Sequence, residues 1–140
     1  MKIWHTILEM VRRHLPQDHG DKKENSHSIE LAYAVLMIDL ALVDNDFNKK
    51  EHAFVKTTLC ELFELSLDQV YELMDEAQQI VTVNHDADDF AYHLKNTLHA
   101  ETREELVAIL DNLLSLDDRQ DSFELDLRNR YQMLLGVRVT

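Results

Sequence analysis

Between Ile29 and Val43 the chain reads IELAYAVLMIDLALV, and Glu30 and Asp39 are its only charged residues. A helix that is apolar on every side has no face to offer water, so it must lie at the centre with other elements packed round it. No segment shows the sustained alternation of a strand. Two Gly and one Pro leave few sharp turns, and 140 residues suit one domain with a sizeable core. These features predict an all-α orthogonal bundle of about seven helices with short connections.

The other helices follow from spacing and caps. Residues 1–15 set Ile3, Trp4, Ile7, Leu8, Val11 and Leu15 on one helical stripe, and Pro16 closes it. Residues 16–27 contain no large apolar side chain and read as a polar linker, which leaves residues 28–140 as the helical domain. The tethered first helix can dock on the body, on a partner, or on a bilayer surface. A membrane-surface helix would show more Lys and Arg on its polar face, which favours docking on protein over lipid. "NKKE" at 48–51, "SLDQ" at 66–69, "TREE" at 102–105 and "DSFE" at 121–124 all have the form of capping boxes that open helices. Phe90, Leu94 and Leu98 mark a shorter helix after "NHDADD", whose acids suit a first helical turn. Gly136 is a suitable left-handed terminator for the last helix.

One pattern occurs twice. "VDNDFNKKE" at 43–51 and "LDDRQDSFE" at 116–124 both read D-[ND]-x-x-[ND]-x-x-E between two helices, 73 residues apart. At that offset Asp39 faces Asn112. Half of the pattern is ordinary helix-making: Asn48 and Asp121 suit N-caps, and Glu51 and Glu124 suit the third helical position. Asp44 and Asp117 differ, since each follows a helix C-terminus, where the dipole disfavours a carboxylate by about 0.3–1 kcal/mol. A bound cation, a Lys or Arg neighbour, or solvation can each make that tolerable. An all-oxygen ligand set would select a hard ion, Ca²⁺, Mg²⁺ or Mn²⁺, rather than Zn²⁺. The loop is not an EF-hand: Asp44, Asp46 and Asn48 match its first ligands, but Lys49 stands where Gly is required and Val55 where the bidentate Glu belongs. Asp39, inside the apolar helix, needs a hydrogen-bond partner. It can cap a neighbouring helix, pair with a base, or serve the nearby acidic loop.

An apolar helix running into such an acidic motif, given twice in a small acidic helical protein, resembles the TerB-like family of tellurite-resistance-associated domains. The resemblance covers residues 28–138. The family's Ala and Gly beside the first Asp are Val43 and Asn45 here, then Leu116 and Asp118, and its apolar position is Phe47 in one loop and Gln120 in the other. The resemblance implies a pseudo-symmetric helical domain whose loop acids are exposed and bind metal ions. By position these are Asp44, Asn48 and Glu51, then Asp117, Asp121 and Glu124, with Asp39 beside them. It further implies stress and metal-resistance systems near the membrane, no known catalytic activity, and relatives that sit beside co-chaperone J domains.

Charge narrows the partners. A net charge of -13 argues against nucleic acid, since phosphate binding needs clustered Lys and Arg. It favours cations, a basic protein partner, or solubility. Residues 1–20 sum to +1, so the acid lies in the body. Cys60 is alone, which fits a reducing compartment. With no secretory signal and no run of 18 apolar residues, a cytoplasmic protein is expected, with any membrane contact peripheral and through residues 1–15. None of the eight His residues has strong zinc spacing, and no nucleophile or phosphate loop stands out. Two function readings result: a non-enzymatic module holding a divalent cation, or an adaptor whose acidic face takes a basic protein without metal.

Overall fold

A computed structural model describes residues 28–43, 47–83, 87–116 and 122–138. These hold six helices: α1 (Ile29–Leu42), α2 (Lys49–Phe63), α3 (Leu67–Thr82), α4 (Ala87–Thr97), α5 (Ala100–Leu114) and α6 (Ser122–Leu134). There is no strand among the described residues. The helix expected over residues 1–15 and the linker over 16–27 lie outside them, as do loop residues Asp44, Asp117 and Asp121.

α1 is the central rod. Eleven of its fourteen residues are buried, on all sides, and it touches each of the other five helices. Ser28 caps it, its hydroxyl accepting from the Leu31 amide at 3.1 Å. The neighbours supply amphipathic faces: Val55, Leu59 and Leu62 from α2, Val70, Met74 and Ala77 from α3, Phe90 and Leu94 from α4. From α5 come Leu106, Ile109, Leu110 and Leu113, and from α6 Tyr131. Truncating one fully buried α1 side chain, such as Leu36, would cost about 2–5 kcal/mol through lost burial and the cavity left behind.

Local chemistry sets the helix ends. Ser66 and Gln69 form the expected reciprocal capping box, at 2.9 and 3.2 Å, and open α3. Gly136, at φ 73°, closes α6 in a Schellman arrangement. The Val137 amide donates to the Gln132 carbonyl and the Gly136 amide to the Met133 carbonyl, both at 3.0 Å. One expected start is displaced. α5 begins at Ala100 behind His99, which makes no side-chain cap, and Thr102 is fully buried within the helix. The turn from α4 to α5 is only Leu98 and His99 long, so helix begins before "TREE" is reached.

Candidate functional site

The first acidic loop joins α1 to α2, and its described part is Val43, Phe47 and Asn48. Asn48 accepts from the Glu51 amide at 2.9 Å, while the Asn48 amide donates to Glu51 Oε1 at 3.1 Å. The capping box expected here is therefore complete. Its carboxylate, however, is not on the surface: Glu51 is 2% exposed. The second loop joins α5 to α6, and there Glu124, third in its helix, is also 2% exposed. The exposed loop acids that the family resemblance implies do not include these two. A carboxylate taken out of water needs partners, and both have them within the fold.

The helices leading into the loops share a second property. Neither α1 nor α5 carries a base in its last turn. Those turns carry no base of their own to offset the partial negative charge of the helix C-terminus, although Arg128 pairs with Asp111 in the last turn of α5, and the sequence continues into Asp44 and Asp117.

Asp39 faces a different group of residues. Its carboxylate accepts a hydrogen bond from the Tyr131 hydroxyl, a fully buried side chain on α6. Asp88, in the first turn of α4, and Arg130 of α6 lie within electrostatic reach and pair with each other. The Arg130 Nε donates to Asp88 at 3.1 Å. Burial pushes the Asp39 carboxyl above its ordinary range, against the pull of the Tyr131 hydroxyl; Asp88 adds to the rise and Arg130 opposes it. The Tyr131 hydroxyl is likewise pushed up, by burial first and by the charge of Asp39 second. At the repeat-equivalent position, Asn112 turns back on its own helix and donates to the Ala108 carbonyl at 2.8 Å. The two halves thus differ at this position.

The bases of α6 are engaged across helices. Arg128 holds Asp111 of α5 through two bonds of 2.6 and 2.9 Å, as Arg130 holds Asp88. Sequence spacing gives no pointer to Tyr131, Asp88 or Arg130, because the Asp39–Tyr131 bond joins residues 92 positions apart. Only the cost of burying Asp39 signals that a donor must exist.

Among the described residues, no group of three or more His, Cys, Asp or Glu side chains is placed to hold a metal ion. Asn48, Glu51, Glu124 and Asp39 are placed as above, whereas Asp44, Asp117 and Asp121 lie outside the described residues. The loop residues do fit a hard ion in kind, every side-chain donor being oxygen. Cys60 is a half-buried free thiol, and His52 packs between the rings of Phe47 and Tyr71, with centroids at 5.4 and 6.5 Å.

A family model described as tellurite resistance protein TerB matches residues 30–140. The chain belongs to the TerB family. No curated protein and no solved structure matches it. The TerB match takes in both acidic loops and all six helices from Glu30 onward, and leaves residues 1–29 outside. The family is one associated with tellurite resistance. No described helix is long and apolar enough to cross a membrane.

Proposed function

We propose that this TerB protein is a non-catalytic module that binds a divalent cation through its two acidic loops. Asp44, Asn48 and Glu51 supply oxygen donors on one side, and Asp117, Asp121 and Glu124 on the other, with Asp39 nearby. The observation that carries the reading is the twin burial of Glu51 and Glu124, 73 residues apart and each just behind the acids of its loop. Capping alone rewards a carboxylate at the third helical position, but it does not require removing that carboxylate from water. A hard ion would add the positive charge that neither preceding helix supplies in its last turn.

Thermal or urea unfolding in EDTA, then with Ca²⁺, Mg²⁺ or Mn²⁺, tests this reading. An ion at 100 times its Kd adds about 2.7 kcal/mol to the native state, and Asp44→Asn should abolish most of that gain. Identical curves with every ion would sink the proposal.

A second reading, an adaptor that takes a basic partner without metal, is favoured by α3. Its outward face carries Asp68, Glu72, Asp75 and Glu76, and the helix has no Lys or Arg.

A further inference from the structure

α3 stands between two open grooves. One, of about 280 Å³, lies against the start of α1 and is lined by Ser28, Glu30, Leu65, Leu73, Glu72 and Glu76, with Gln69. The other, of about 450 Å³, lies toward α2, where Met74 and Tyr71 meet His52, Glu72 and Asp75. Among the described residues neither groove is lined by a Lys or Arg, and Lys56 sits over the Tyr71 ring at 5.7 Å. α3 exposes apolar surface as well as acid: Leu67 is 59% exposed and Tyr71 46%. A face that mixes exposed apolar and acidic side chains fits an amphipathic helix with a basic polar side.

The chain carries such a segment. Residues 1–15 hold the stripe Ile3, Trp4, Ile7, Leu8, Val11 and Leu15, and Lys2, Arg12 and Arg13 outnumber the single acid Glu9. As a helix they would be about 22 Å long, against about 24 Å for α3. The linker, residues 16–27, is attached to Ser28, which itself lines the α1–α3 groove. Twelve residues reach at most about 40 Å, enough to lay the segment along α3 in either direction. A tether this short gives an effective concentration on the order of millimolar, which a separate basic partner of equal affinity must exceed.

We infer that residues 1–15 dock in cis along the acidic outer face of α3. This rests on the adaptor reading, to which it supplies an occupant, and is independent of the cation reading. The segment is then a built-in competitor: a basic partner gains the α3 face only by displacing it.

Trp4 is the chain's single tryptophan, so its fluorescence reports this segment alone. In the 140-residue chain the expected result is a blue-shifted emission and acrylamide quenching several-fold weaker than that of free indole. The double variant Glu72→Lys, Glu76→Lys changes exposed side chains only. It should restore quenching to near the free-indole value while the cooperative melting transition of the six-helix body is retained, with at most the helical signal of residues 1–15 lost from far-UV circular dichroism. Shielding that survives the charge reversal would place the segment on another face and overturn the inference. Shielding lost on serial dilution would assign the contact to a second copy and also overturn it. Should Trp4 be quenched as freely as indole, titration with oligolysine separates the two readings. Binding that the double variant abolishes overturns cis docking alone, and no binding overturns the adaptor reading with it.

Discussion

Two buried tyrosines make a controlled comparison. Tyr33 of α1 is 0% exposed, and its hydroxyl meets no hydrogen-bond partner among the described residues. Burial first, and the charge of Glu105 second, push that hydroxyl well above its ordinary range. An unpaired buried hydroxyl lowers stability by about 1–3 kcal/mol. Tyr33→Phe removes it and leaves a void of roughly 10–15 Å³, which at about 24 cal/mol per Å³ gives back only about 0.3 kcal/mol. The ring itself, in edge contact with Phe63 at 5.3 Å between centroids, is retained. The net expectation is a gain of about 1 kcal/mol, a Tm rise of roughly 3–5 °C for a chain of this size. Tyr131→Phe also deletes a buried hydroxyl, but one that donates to the Asp39 carboxylate. Losing a bond to a charged acceptor should cost about 1.5–3 kcal/mol. Melting curves by circular dichroism, with urea unfolding for the free energies, would show shifts of opposite sign. If Tyr33→Phe lost a kilocalorie or more, the hydroxyl must be bonded in solution, and the argument from an unpaired group fails.

Other expectations are simpler to test. The Asp39 carboxyl is raised above its unfolded value of about 3.9, so its stabilising protonated form is fully present below that pH. Its contribution is lost as pH rises through the folded value. Asp39→Asn should therefore flatten the fall in stability across that acidic window, read from urea midpoints at several pH values. A variant clearly less stable than the parent at neutral pH would mean that Tyr131 and Arg130 outweigh the burial of Asp39. Gly136→Ala should cost about 1–2 kcal/mol for a left-handed φ of 73°. A Cβ there would also meet Arg103 Nη1 at 2.8 Å, and that guanidinium donates to the Leu135 carbonyl at 2.9 Å. An unchanged urea midpoint would contradict the strain.

What was legible in the sequence was local or all-round. The apolar run of α1 required burial whichever way the helix turned, and Asn48, Ser66 and Gly136 act on amides and carbonyls within a few residues. The capping signal at Thr102 failed because the same residue types also serve inside a helix once neighbours bury them. Glu51 and Glu124 illustrate another limit. Their capping positions were readable, but their burial depends on how α1 and α5 are covered, which no local spacing records. The partner of Asp39 was hidden for the same reason, since the donor arrives from the far end of the chain. The loop acids Asp44, Asp117 and Asp121 lie outside the described residues.

The position of α1 has a consequence for the duplicated pattern. Helices from both halves lean on this one axle, since α5 and α6 pack against it as well as α2 and α3. The repeats therefore cannot be parted into two self-sufficient modules: a cut between them would strip the downstream half of its seat and leave the upstream half with bare hydrocarbon. Damage to the axle should be felt at both acidic loops together.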